Sequence, residues 1–538
     1  MVPRRLFSCR HDGNGRVIYK KSFPVWAISG IYGSSRLTFS ASHMKKEADN
    51  TSRKHLVWFR QDLRLTDNRA LAAACEDKDA TVYALFTAPL GQWKEHGISE
   101  RQTAFMHAHL VILSDGLARL GIPLVCDVCG NFDEAARFVI DFCHREQIDE
   151  LFFNNQYELN EQRRDRWLEN NLPDEVTVNR YDDCLLLPPG AANNRQGGMY
   201  KVFTPFKRAF LERLGTADTD CLPQPERRLR PARIKGTFPP FFPCESISFG
   251  AQYPVGEEAA IGLLENFCRQ KVHDYDKTRD RPDMDGTSRV SAYLAIGVLS
   301  PRQCLNALLA EVPDAMWQSK GGGAVWLNEL IWREFYYHLV AAFSRLCRYE
   351  PFLVWTDYIV WNADEADFMS WVDGKTGYPI VDAAMRELKE TGWMHNRLRM
   401  IVASFLVKDL IIDWRKGERY FMSQLIDGNL PANNGGWQWS ASTGVDAMPW
   451  FRIFNPVTQG QKFDPAGHYV RRWIPELKDV PDRDIHTPQL WAKKNHVVLD
   501  YPAPVVDHRQ AREKTLNAFN AARQMADRTD RRVPDGWP

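Results

Sequence analysis

Nowhere in its 538 residues does the chain hold an apolar run approaching the roughly 20 residues that cross a bilayer, which excludes a helical membrane anchor. It also lacks a glycine fingerprint. The first strand-like run, HLVWF, passes straight into RQDLRLTDN, so a pyrophosphate cofactor held there in the Rossmann manner is not expected. Its 11 cysteines form no spaced framework, which points to a reducing cytoplasm. Cys126 and Cys129 make a lone C-x-x-C in IPLVCDVC, with strand-like surroundings and no second ligand pair nearby; neither a metal site nor a redox site is expected. Net charge is almost absent as well: 69 Lys and Arg balance 68 Asp and Glu, giving +1. No global field draws nucleic acid, although a local basic face stays open. Internal repeats and low-complexity tracts are missing.

What is present falls into unequal parts. Residues 1–53 are basic early (Arg4, Arg5, Arg10, Lys20, Lys21) and carry few acids before Glu47. They read as an unstructured extension, either a targeting segment or, as the favoured reading, an over-long start with Met44 initiating. Over 54–184, the short β-rich runs HLVWF, TVYALF, IPLVCDV, ELFFNN and VTVNRY alternate with helical stretches at 101–119 and 133–145. That pattern spells an α/β domain, a parallel sheet with helices on its faces. Residues 185–256 form a connector rich in proline and arginine, expected to cross the surface around one short helix. From 257 to 525 strand signals nearly vanish and an all-α domain is expected, with helices at 258–271, 288–296, 301–310, 325–346, 377–389, 396–415 and 419–425, and a tail over 526–538. Most of the 18 tryptophans lie from Trp317 onward, which suggests a domain built around planar ligands.

The stretch 392–439 organises the rest. Leu398, Ile401, Val402, Phe405 and Leu406 recur at helical spacing, with Arg397 and Arg399 off that stripe. Asp427, Asn433 and Asn434 then cluster near Gly435, Gly436, Trp437 and Trp439. Paired glycines let backbone approach a bulky partner, and amides can bond a heteroaromatic rim. Two further constellations stand out. Asp285-Gly-Thr-Ser-Arg-Val-Ser291 sits where a helix should begin, and reads as an ordinary N-cap or as a phosphate site. In WLNELIWREF, Trp326, Glu329, Trp332 and Arg333 recur at three- and four-residue steps, either as a solvated helix edge or as a face presenting carboxylate, indole and guanidinium.

The run NRLRM, then DG followed by NNGGWQW, together with GTSRVS, resembles the flavin domain of the DNA photolyase/cryptochrome family, most of all its bacterial class I cyclobutane pyrimidine dimer branch. The likeness runs from about His55 to the low 520s. It implies FAD held by Tyr275, Thr287, Ser288, Arg289, Val290, Ser291, Trp326, Arg399, Asp427, Gly428, Asn429 and Asn433, with Arg399 and Asp427 beside the flavin ring. It implies a DNA-facing basic mouth of Arg279, Glu329, Trp332, Arg333, Asn396, Arg397, Trp439 and Gln459, with Glu329 bonding the damaged pyrimidines and Trp332 stacking on them. Trp361, Trp414 and Trp437 match the family's electron relay, outermost to proximal, where the residues alone would read as core.

The resemblance further implies an antenna pigment, 5,10-methenyltetrahydrofolate, near His96, Asn160, Glu161, Cys347 and Arg348. Two positions depart from the pattern: Arg348 stands where close relatives carry lysine, and Asn429 where they carry aspartate. The expected activity is light-driven splitting of pyrimidine dimers in UV-damaged DNA, by a cytoplasmic monomer that joins the nucleoid when bound to DNA. The rival is a cryptochrome photoreceptor. Asn433 argues against it, since plant members have aspartate and animal ones cysteine there, as does the lack of a long signalling tail after Arg523. A photolyase for the (6-4) lesion would place histidines at Asn396 and Met400.

Overall fold

The computed structural model describes residues 52–234, 236–237, 249–250 and 252–529, with the short stretches 10–11 and 17–18. Of the leading segment, an antiparallel pair, Arg10–His11 with Val17–Ile18, and the last two residues, 52–53, fall among them. Five strands form one parallel sheet: β1 (Lys54–Phe59), β2 (Thr81–Pro89), β3 (Leu124–Cys129), β4 (Glu150–Asn154) and β5 (Thr177–Tyr181). Their order is β3-β2-β1-β4-β5. These runs are continuous in Val, Leu and Phe because the central strands are buried on both faces. Strand order reverses at β1, so a crevice opens beyond the carboxyl ends of β1 and β4, the usual ligand position in such sheets. Cys126 and Cys129 lie three residues apart on the edge strand β3 and so point to opposite faces, which rules out a shared metal or disulfide.

One sheet face packs Leu56, Trp58, Tyr83 and Leu85 against Phe142 and Phe153. The other joins Val57, Phe59 and Phe86 to Phe105 and Leu110 of the helix Glu100–Arg119, and the same core continues into Tyr293, Ile331 and Phe335 of the helical half. The connector joins this core too. In the helix Phe203–Leu214, Phe203, Phe206, Phe210 and Leu214 fall on one face and are buried, so this part of the connector is core, contrary to the surface crossing its composition suggests. A buried charge cluster seals the junction: Arg302 reaches Asp67 at 3.0 Å and Asp183 at 2.6 Å, and Arg64 also pairs with Asp183. Buried charges persist only when paired in this way.

The helical half departs from the sequence reading in four places. The helix expected over 396–415 is two. Asn396–Ser404 runs into a π-turn at Phe405–Asp409, Ile411 turns left-handed at φ 56°, and a new helix, Trp414–Gln424, begins behind the capping carboxylate of Asp413. Phe405, Leu406, Val407, Leu410 and Ile412 are all buried, so the apolar rhythm continues straight through the break and conceals it. The helix expected from Ser288 starts only at Ser291, because Arg289 is left-handed at φ 54°. The stretch containing NNGGWQW is itself a helix, Leu430–Ala441, capped by Asn429. The last helix, His508–Arg528, runs past the domain end expected at 525.

Candidate active site

Several helices and two loops enclose a cavity of about 540 Å³. The helix Gly322–Ala342 contributes Trp326, Glu329, Trp332 and Arg333; Asn396–Ser404 contributes Asn396, Arg397, Arg399 and Met400; Leu430–Ala441 contributes Asn433, Gly436, Trp437 and Trp439. Tyr275 and Arg279 come from the short segment before the loop Thr287–Ser291, which also lines the cavity, as do Asp427 and Asn429 ahead of the capped helix. Nearly all expected flavin and lesion residues thus share one space. Gly428, Trp361, Trp414 and Gln459 do not line it.

Local chemistry fixes each wall. Ser288 caps no helix; its hydroxyl accepts instead from Trp326 Nε1 at 3.3 Å. The loop therefore presents hydroxyls and the Arg289 guanidinium, not the amides of a long helix start. Arg289 lies 4.2 Å over the Trp393 ring and donates to Gln252 at 3.0 Å. Arg399 donates to both oxygens of Asp427, at 2.9 and 3.1 Å, and through Nε to the Met394 carbonyl at 2.8 Å. Gln102, from the helix packed on the sheet, holds this corner by donating to the Gly428 carbonyl at 2.7 Å. Asn429 spends its side chain on structure: Oδ1 accepts from Ala432 N at 3.3 Å, which turns Nδ2 to donate to the Tyr337 hydroxyl at 2.7 Å. The two glycines differ. A Cβ on Gly435 would meet the Tyr336 ring at 2.1 Å, whereas one on Gly436 would meet nothing within 4 Å.

The mouth is polar, yet its cations are compensated. Arg279 pairs with Glu329 at 2.7 Å and Arg397 grips Asp280 at 2.8 and 2.9 Å. Burial pushes the Glu329 carboxyl up, against the pull of Arg279. Arg333 is turned inward: it donates to the Cys184 carbonyl at 2.8 Å and lies under the Tyr337 ring, so it is not a rim cation. Trp332 stacks on Phe203. His395, which the sequence did not single out, caps the Asn396–Ser404 helix by accepting from Arg397 N at 3.2 Å; burial drives its pKa down to about 4, which keeps it a neutral acceptor. Trp371 also escaped notice. It is fully buried, with its ring 6.1 Å from Trp437, and its sequence context looks like any core tryptophan.

The three relay candidates differ in exposure. Trp437 and Trp414 are buried, and Trp361 is half-buried with its ring edge-on to Phe519. Beyond the strand ends, His96 meets Asn160 at 3.0 Å and Glu161 at 3.7 Å; Cys347 shares the electrostatic surroundings of Glu161, and Arg348 follows it, exposed. Burial lowers the His96 pKa and raises that of Glu161.

This geometry agrees with what the chain resembles. Residues 55–226 match the family model described as DNA photolyase, and residues 326–521 match the FAD binding domain of DNA photolyase. Proteins named deoxyribodipyrimidine photo-lyase from Salmonella typhimurium and Escherichia coli are each 53% identical to it, covering 88% and 87% of this chain and 99% of theirs. The chain belongs to the DNA photolyase family. Among solved structures of the family, a class III photolyase from Agrobacterium tumefaciens is 35% identical with a TM-score of 0.79, covering 89% of this chain and 100% of its own. A Synechocystis cryptochrome is 28% identical with a TM-score of 0.76, covering 87% and 99%.

FAD is the cofactor of this photolyase domain, and the cavity fits it. Thr287, Ser288, Ser291 and Arg289 would supply the hydroxyls and cation that a diphosphate needs, Asn433 and the Arg399–Asp427 pair would supply a ring rim, and Gly436 leaves open the space a Cβ would fill. Among the described residues no group of side chains could hold a metal ion, and no helix is long and apolar enough to cross a membrane.

Proposed function

We propose that the protein is a light-driven carbon–carbon lyase that splits cyclobutane pyrimidine dimers in DNA. One observation carries the reading: residues suited to a flavin (Thr287–Ser291, Arg399, Asp427, Asn433) and residues suited to a pyrimidine pair (Glu329, Trp332, Asn396, Met400) line the same cavity. Bound there, reduced and excited by blue light, FAD supplies the one-electron donor, and the protein supplies positioning and a dry enclosure.

Trp332 offers an indole face to a flipped base pair, and Glu329, steadied by Arg279, offers a carboxyl for the pyrimidine edge. A dimer stacks and pairs poorly, so extruding it from the duplex takes less energy than flipping a normal base. Because Arg279 and Arg397 are already ion-paired, recognition rests more on stacking and shape than on excess charge. Arg399 places a guanidinium beside the flavin rim, where it stabilises negative charge. Trp437, which lines the cavity, and Trp414 and Trp361, which do not, serve as the reductive relay. His96, Asn160, Glu161, Cys347 and Arg348 form the seat of a folate antenna at the crevice of the sheet. The enzyme works as a monomer in the cytoplasm, on nucleoid DNA.

The test is direct: pre-reduced protein and a dimer-containing oligonucleotide are irradiated with blue light and restored thymines are counted. Flavin photoreduction without dimer loss would favour a photoreceptor instead.

A further inference from the structure

One carboxyl beside the cavity has no role in the reading above. Glu418, on the helix Trp414–Gln424, is fully buried, and neither carboxyl oxygen has a hydrogen-bond partner of normal geometry. A buried carboxyl in that state takes its neutral form, because an isolated charge is far too costly away from water. Burial pushes its pKa up to about 8, while Asn434, Arg419 and Arg415 pull the other way.

Its neighbours tie it to the site. Its main-chain carbonyl accepts from Asn433 Nδ2 at 3.0 Å, and Asn433 lines the cavity. Asn434 Oδ1 accepts from Gln438 at 2.9 Å, which leaves the Asn434 Nδ2, itself without a partner of normal geometry, for the Glu418 carboxyl. Gly417, one residue earlier, lies against the Trp437 indole so closely that a Cβ would meet the ring at 2.2 Å. Trp414, one turn earlier on the same helix face, is buried with its Nε1 unpartnered.

We infer that Glu418 is a positioning residue for the flavin-facing edge: its main chain fixes Asn433, and its uncharged carboxyl keeps the wall behind that amide free of negative charge while the reduced cofactor carries one. The inference rests on the flavin reading of the cavity. If Glu418 loses its proton, a fixed anion stands behind Asn433 and opposes reduction, so alkaline pH lowers the flavin potential. The ionisable groups facing it are Arg415 and Arg419 on its own helix and Tyr349, whose phenol burial pushes up and keeps neutral; Asn433 and Asn434 face it from the next helix.

The experiment uses FAD-loaded protein as wild type, Glu418→Gln and Arg419→Gln. Flavin midpoint potential is followed from about pH 6 to about pH 10, alongside the infrared difference spectrum of reduction. Wild type is expected to show an extra downward bend centred near pH 8, and a carboxylic-acid C=O band perturbed by reduction; Glu418→Gln loses both. Arg419→Gln, an exposed change that keeps the carboxyl but removes a cation, moves the bend to higher pH, and it decides the matter if Glu418→Gln folds poorly. A bend that persists in Glu418→Gln, is missing from wild type or stays put in Arg419→Gln overturns the proposal. Failure of wild type to bind FAD would overturn the flavin reading as well.

Discussion

The Trp332 indole lies flat on the Phe203 ring, with centroids 3.7 Å apart and planes within 3°. One indole face is thus spent on the connector helix, and the residue also lines the cavity. A side chain stacked in this way has little freedom left to lose when a base arrives.

Replacing Trp332 by Ala should weaken binding of dimer-containing DNA by roughly 1–3 kcal/mol, the usual worth of one aromatic stack. Flavin content, read by absorbance, should not change. Phe203→Leu should weaken binding less, since it loosens the indole without removing it. Unchanged affinity in Trp332→Ala would contradict the stacking role.

Gly435 and Gly436 should respond oppositely to alanine. At 435 the new methyl runs into Tyr336, so denaturant titration should show a loss of roughly 1–3 kcal/mol, typical of overpacking. At 436 no protein atom is met, and a helix interior prefers Ala to Gly by about 1 kcal/mol. Stability should hold or rise there, while FAD affinity, measured by fluorescence titration, falls.

Trp437→Phe should slow photoreduction of the oxidised flavin, followed by its visible absorbance, yet spare repair by enzyme reduced beforehand. Loss of repair in the pre-reduced variant would show that the indole does more than pass electrons.

Lys408 gives the protein a predictable pH response. It is fully buried in the π-turn, donates to the Ser442 hydroxyl at 2.8 Å and the Arg452 carbonyl at 3.2 Å, and burial lowers its pKa to about 7. Above that value the folded chain holds a neutral amine while the unfolded chain, at 10.5, still binds the proton; the contribution of this group to stability therefore rises from about pH 7 toward pH 10. Asp409 acts in a separate window. Burial raises its pKa from 3.8 to about 6, so its ionisation lowers stability between those values as pH rises. Lys408→Met should flatten the alkaline rise in denaturation midpoint; a slope equal to wild type would show that the amine is charged when buried.

Much of this was legible beforehand, for identifiable reasons. The five strands announce themselves because a sheet covered on both faces needs unbroken apolar runs. Arg399 and Asp427 were paired through resemblance, and they meet at 2.9 Å. The break at 405–413 was not legible: Ile411 adopts a backbone normally left to glycine, and the apolar period runs across it because both helices face one core. The same left-handed geometry at Arg289 hid the late start of the helix after Ser288. Charge misled as well, since composition counts arginines but cannot show that Arg279 and Arg397 are answered by Glu329 and Asp280, or that Arg333 faces inward.

The hydrophobic core that sheet and helices hold in common makes the two halves a single rigid frame. A pigment seated beyond the strand ends would therefore keep a constant separation and tilt relative to the flavin, and excitation passed between them should hardly vary with solvent viscosity. The geometry of any such transfer would be set once, when the chain folds.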